Sequence, residues 1–172
     1  MDATTGKMEK NINVIIKDMN VKGIKALYDT RSLEIMQNAE DAYVRGSNRV
    51  HEIKNYARKA GIKRIGIAYC VSLPQEAEAV KQFLSDEFEV YSVDCKCGKI
   101  TKNEMLGCEW ISIMCNPAGQ AEYLKENNTD LNISMGLCVG HDMVFNQKSV
   151  STLVVKDRTN KNNTIESIHQ LK

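Results

Sequence analysis

The hydrophobic and polar positions of the chain change period several times, and the changes divide it into elements. Residues 1 to about 29, including I-N-V-I-I-K-D-M-N-V-K-G-I, carry apolar side chains without a sustained repeat, and the segment predicts no more than a short helix or strand with a turn near Gly23. From Thr30 the spacing becomes helical. Leu33, Met36, Ala39, Ala42 and Tyr43 share one face, Gly46-Ser47 breaks the pattern, and Val50, Ile53, Tyr56, Ala57 and Ala60 form a second stripe. Ser47 is the expected cap of that second helix, and Gly61 sits where a helix end favours positive φ.

Short apolar runs then alternate with amphipathic ones. I-K-R-I-G-I-A-Y-C (62–70), F-E-V-Y-S-V (88–93), L-N-I-S-M-G-L (131–137) and S-T-L-V-V-K (151–156) are rich in β-branched residues and short enough for buried strands. Between the first two, Pro74 opens a helix bearing Ala77, Val80, Phe83 and Leu84, and the strand–helix–strand order predicts a parallel pair. Residues 96–114 are irregular, with turns expected at Gly98 and Gly107 and Trp110 as a core residue. Asn116 and Pro117 have the cap and first-position chemistry of another helix, V-G-H-D-M-V-F can open a further one with Asp142 as its cap, and R-T-N-K-N-N-T is a polar tail. The expected fold is α/β: an open, mainly parallel sheet of four or more strands with flanking helices and an N-terminal helical layer. Its organisation is a single domain, 1–172, with a mainly helical part (1–61), an α/β core (62–158) and the tail (159–172).

Composition narrows the function classes. The 172 residues suffice for a core that needs no disulfides. Twenty-three basic and 22 acidic side chains give a net charge of +1, so no bulk field favours nucleic acid or an anionic membrane. No apolar run approaches the roughly 20 residues that span a bilayer, and the N-terminal residues lack the apolar core of a secretory signal. The expected location is the cytoplasm, where thiols stay mostly reduced, so six cysteines argue for metal, cluster or catalysis more than for disulfides.

The cysteines occupy telling positions. Cys70, Cys95 and Cys138 each fall just past a predicted strand and Cys115 just before a predicted helix, which gathers them at the carboxyl edge where open α/β sheets bind ligands. Cys97 and Cys108 lie on the intervening loop. Three chemistries compete. An iron–sulfur cluster is held by thiolates and tolerates irregular spacing, and the glycine-containing loops C-K-C-G, C-N-P-A-G and G-L-C-V-G-H suit it. Structural zinc usually shows paired C-x2-C knuckles, whereas the close pair here is C-x-C. Metal-free thiol chemistry would use Cys115 at a helix start near Lys96, Lys99 or His141, and would leave the other cysteines without a role.

Six segments also carry a resemblance. N-R-V-H-E-I, I-G-I-A-Y-C, S-V-D-C-K-C-G, M-C-N-P-A-G-Q-A-E-Y-L, T-D-L-N-I-S-M-G-L-C-V-G-H-D and T-L-V-V-K-D-R, spread over residues 48–158, are similar in kind and order to the Domain of Unknown Function 1847 family of anaerobic bacteria and archaea. Its members are commonly labelled metal-binding. The resemblance implies a cysteine set of Cys70, Cys95, Cys115 and Cys138, with Cys97 and Cys108 as extra ligands or bystanders. Family members usually begin with a cysteine-rich segment, and this sequence has no cysteine before Cys70.

The expectation is an iron–sulfur protein, its cluster of the four-iron type, with zinc as the alternative metal and a redox partner or small-molecule substrate. A homodimer is compatible with the sequence. Lys96, Gly98, Asn116, Gly140 and His141 are expected around the ligands; His141 and Asn116 fit helix-start roles, and Lys96 and Lys99 can offset thiolate charge. Gln120 is a candidate for orienting something in the crevice. Arg49 and Glu52, three apart on a helix, read as a surface pair.

Overall fold

The computed structural model describes residues 21–150 and 152–156, and in the last strand it describes the side chain of Leu153 alone. The expectations for residues 1–20 and for the polar tail lie outside the described residues. Two compact units are distinguished, Met1–Asp41 and Ala42–Lys172. In the first, α1 (Val21–Lys25) leads to α2 (Thr30–Ala42), whose first turn is held by the Asp29 carboxylate accepting from Ser32 N at 2.7 Å. Leu33 and Met36 of the anticipated stripe are about half exposed.

The second unit follows the alternation of the sequence. Its elements are α3 (Arg49–Lys59), β1 (Arg64–Tyr69), α4 (Pro74–Leu84), β2 (Glu89–Asp94), α5 (Lys102–Leu106), α6 (Pro117–Glu126), β3 (Leu131–Met135), α7 (Val139–Lys148) and β4 (Thr152–Lys156). All strand pairs are parallel, in the order β2-β1-β3-β4. The class and the open parallel sheet are as expected. Three strands, β1, β2 and β3, have fully described side chains; the expected fourth adds a backbone-paired edge along β3, with its register slipping at Ser134/Met135.

Each face of the sheet has its own helices, and β1 and β3 are buried on both sides, although the second face of β3 carries the polar Asn132 and Ser134. Ile65, Ile67, Leu131, Ile133 and Met135 pack against Val50, Ile53 and Ala57 of α3 and Ala77, Val80 and Leu84 of α4. On the opposite face Ala68 meets Ala121 and Leu124 of α6 and Phe145 of α7. Within this unit, α3 is a helix of the anticipated layer and covers one face of the sheet. A close approach is required at Gly66, where a Cβ would overlap Asn132 Oδ1 and stand 2.8 and 2.9 Å from the Leu124 methyls.

Several local expectations are corrected. The cap of α3 is Asn48, one residue beyond Ser47, and its Oδ1 accepts from Val50 N and His51 N; Asn can reach both donors with one oxygen. Asp142 does not cap α7; Cys138 occupies that position without a side-chain bond, and Asp142 lies in the first turn. Residues 96–114 are not wholly irregular, since α5 forms within them. Thr101 and Glu104 close a capping box there, and Gly107 ends the helix at φ 65°. Trp110 is not core: it is 68% exposed, with Lys102 Nζ 5.4 Å from its ring centroid. Gly61 does end α3 at φ 68°, and Arg49 and Glu52 do form a surface pair at 3.5 Å. No helix among the described residues is long and apolar enough to cross a membrane.

Candidate functional site

The sheet's own alternation brings the first two cysteines together. Ala68 pairs with Val93 and Tyr69 with Asp94, so Cys70 and Cys95 are the next step of the same register, one residue past each strand. Side chains alternate along a strand, and Cys70 and Cys95 therefore continue the face of Ala68 and Val93, towards α6 and α7. They are buried in that cluster at 7% and 2% exposure.

Cys115 arrives by a different route. After β2 the chain leaves the sheet, turns at Gly98 (φ 78°) and Lys99 (φ 51°), forms α5, and comes back antiparallel to itself. Met114 N donates to Ile100 O at 2.8 Å, Lys102 N to Ser112 O at 3.0 Å, and Asn116 N to Cys95 O at 2.8 Å. Lys96 Nζ donates to Ile113 O at 2.7 Å, so its charge ties the two arms of this excursion together. Cys115 consequently stands beside Cys95, half-buried against the same cluster.

The sulfurs interact. Burial pushes the Cys95 thiol up to about 12; a hydrogen bond from Val71 N–H opposes that rise, while a hydrogen bond shared with Cys115 and the charges of Cys115 and Cys70 add to it. Ser72 Oγ donates to Cys70 Sγ at 3.1 Å. Two donors thus point at sulfur from the turn after β1. Neither Val71 nor Ser72 stands out in the sequence, and their sole signal is that they follow a cysteine at a strand end.

Two amides, Asn116 half-buried and Gln120 buried, hold this arrangement. Asn116 caps α6 by accepting from Gly119 N at 2.9 Å, and its Nδ2 donates to Cys97 O at 3.3 Å, which anchors the loop beginning at Cys95. Gln120, completely buried on α6, donates from Nε2 to Tyr69 O at 3.3 Å and to Val93 O at 3.0 Å. It bridges the ends of both strands just before their cysteines. Gln120 Oε1 has no hydrogen-bond partner.

The other predicted residues divide. Cys138 lies past β3 at the same edge of the sheet, half-buried, and begins α7. Gly140 and His141 belong to the first turn of that helix, Gly140 exposed and His141 half-buried. Gly98 makes a turn, as its φ requires, and is exposed. The Cys97 thiol is directed to Asn116 O at 3.6 Å; burial raises its pKa, and Asp94 raises it further. Cys108 follows α5, where its carbonyl accepts from Asn103 Nδ2 at 2.6 Å.

The site lies at a reversal of the chain's path. The connection from β1 runs through α4 on one face, while the connection from β3 runs through α7 on the other, and β1 and β3 are neighbours. In open α/β sheets the ligand crevice lies at such a switch point. Cys70 and Cys138 follow the two strands that bound it.

The donor set is soft and thiol-rich, and the N–H and O–H groups directed at sulfur are of the kind that steady bound thiolates. Among the described residues, however, no three His, Cys, Asp or Glu side chains are gathered closely enough to hold a metal ion. The fit is one of donor chemistry, with Cys95 and Cys115 in contact and Cys70 beside them.

Comparison with known proteins adds the lineage. A family model described as "Protein of unknown function (DUF1847)" matches residues 10–155. The chain belongs to that family. A relative, an uncharacterised protein of Methanocaldococcus jannaschii, is 40% identical over 89% of this chain and 84% of its own length. No solved structure matches. Membership is thus shown by most of the chain, including every cysteine, and assigns no reaction.

Proposed function

We propose that this DUF1847 protein holds an iron–sulfur cluster of the four-iron type at the carboxyl edge of its sheet and serves electron transfer or small-molecule redox chemistry. The observation that supports this reading is that Cys70 and Cys95 belong to one largely apolar cluster and Cys115, from a separate part of the chain, packs against it. Two of their sulfurs also receive hydrogen bonds from Val71 and Ser72.

Cys70, Cys95 and Cys115 would supply three ligands, and Cys138 the fourth through a shift of the first turn of α7. Bound there, the cluster would supply one-electron redox chemistry. The chain's own part is to exclude water with Ala68, Leu124, Leu137 and Phe145, and to neutralise sulfur charge with the Val71 N–H and Ser72 O–H. Gln120 fixes the spacing of the two strand ends. A metal-coordinated thiolate is deprotonated outright, so the barrier that burial sets against ionising Cys95 is met by the ion's charge.

Anaerobic purification followed by iron, zinc and acid-labile sulfide analysis, with an absorption spectrum, tests the reading. Iron and sulfide in near-equal amounts are expected, lost on Cys95→Ser or Cys115→Ser and kept on Cys108→Ser. A colourless protein with stoichiometric zinc and no sulfide would replace the cluster with a zinc module. Absence of metal and sulfide altogether would overturn both.

A further inference from the structure

Cys95 and Cys115 are placed for a second chemistry, and we infer that they form a reversible disulfide with each other when the chain meets a low-molecular-weight disulfide such as oxidised glutathione. Cys95 is buried in the apolar cluster at the sheet's carboxyl edge, and Cys115 packs against that same cluster. The backbone bond from Asn116 N to Cys95 O, at 2.8 Å, joins the arms that carry them. That bond makes Cys95 and the residue after Cys115 backbone neighbours, and both thiols lie against the same buried apolar cluster.

Topology selects this pair from the six cysteines. Cys70 and Cys95 are both fixed by strands, since Cys70 N donates to Met135 O at 3.0 Å and Cys95 follows directly on β2. Cys115 instead rides on the returning arm of an excursion with turns at Gly98 and Gly107, which can adjust its sulfur. Cys97 engages Asn116 O, and Cys138 starts a helix beyond a different strand. Exposure sets the order of events: Cys115 is half-buried, whereas Cys95 is 2% exposed.

The reaction is a two-step exchange. The Cys115 thiol gives its proton to water, its sulfur attacks one sulfur of the glutathione disulfide, and glutathione leaves as a thiolate that takes up a proton. Cys95 sulfur then displaces the second glutathione from Cys115, with the Cys95 proton passing to the departing thiolate. Two protein thiols are oxidised to one disulfide, and one glutathione disulfide is reduced to two thiols. If the cluster reading holds, the bond withdraws two ligands at once and releases the metal. That consequence rests on the proposed function; the disulfide does not.

The test uses the full chain, stripped of metal with chelator and dithiothreitol, desalted, and exposed to oxidised glutathione. Remaining thiols are then blocked with N-ethylmaleimide, and the chain is cut without reduction by trypsin and a glutamate-specific protease. Lys96 separates Cys95 from Cys97, and Glu109 separates Cys108 from Cys115, so each cysteine lies on its own peptide. The expected dominant cross-link joins Cys95 to Cys115. In Cys95→Ser the glutathione should stay trapped on Cys115, and in Cys115→Ser Cys95 should stay blocked by maleimide after unfolding; circular dichroism verifies that both variants fold. Glutathione adducts alone on the folded wild-type chain, or cross-links scattered over other cysteines, would overturn the inference. Iron and sulfide are measured on the same preparation before stripping, so the disulfide and the cluster fail separately.

Discussion

At the scale of single residues, contact geometry decides more than residue type. Gly66 lies mid-strand, where glycine is normally weakening, yet Asn132 and Leu124 fill the space that any side chain would need. Gly66→Ala should destabilise the protein by about 1–3 kcal/mol through overpacking, read as a lowered urea midpoint; a change within about 0.5 kcal/mol, the range of surface substitutions, would show that Asn132 moves aside at no cost. Glu87 makes the opposite kind of contribution, through charge. Its carboxylate accepts from Arg58 Nε at 2.8 Å and from the other arm of the guanidinium at 2.6 Å, and that bond, with lesser help from Lys54, holds its pKa at about 2 against an ordinary 4.5. A depressed carboxyl pKa stabilises the fold fully above the unfolded value, and that stability is lost as pH falls through the folded value. Glu87→Gln should therefore lower the melting temperature at pH 7, and the gap from wild type should close between pH 4.5 and about 2. A gap that is constant over that range would mean that Glu87 acts by packing and not by charge.

Elements with one strong local signal were legible in the sequence, and those specified by distant partners were not. Periodicity and the Pro74 and Pro117 starts identify α4 and α6, and the β-branched runs locate all four strands to within a few residues. The parallel pairing that sets Cys70 beside Cys95 follows from the β1-α4-β2 order and needs no knowledge of side chains. The excursion between β2 and α6 is less legible because short antiparallel arms held by backbone bonds leave little trace in residue type. One signal was present: the T-x-x-E of Thr101 and Glu104, with Gly107 beyond, has the pattern of a capped helix turn. Trp110 misleads for a physical reason. A large aromatic is normally worth burying, but this one sits on an arm held by Asn103 N to Trp110 O at 2.9 Å and by a lysine over its ring, which leaves it largely in solvent. The candidate site shows the same division. The positions of Cys70, Cys95 and Cys138 at strand ends were legible, whereas the contact of Cys95 with Cys115 depends on the returning arm, and the sulfur donors Val71 and Ser72 on the fold of one turn.

For the whole molecule, the distribution of burial fixes where cooperativity resides. Every described core residue lies at or beyond Ala42, and the two apolar clusters are built from residues between Val50 and Leu153. The described helices before that point leave Leu33, Ile35 and Met36 substantially exposed. Burial of apolar surface is the main favourable term in folding, so the unit Ala42–Lys172 should hold nearly all of the stability of the described structure. Its sheet is closed on both faces by α3, α4, α6 and α7, all of which lie within that unit. A chain begun at Ala42 should consequently unfold in urea in one transition, with the same midpoint as the longer chain when followed by circular dichroism. It should also keep the Cys95–Cys115 cross-link under oxidised glutathione, because both arms of the excursion and both strands that position them are retained. A lowered midpoint or a broadened transition would show that residues before Ala42 contribute to the core, and loss of the cross-link in a chain that still folds would show that they shape the thiol site.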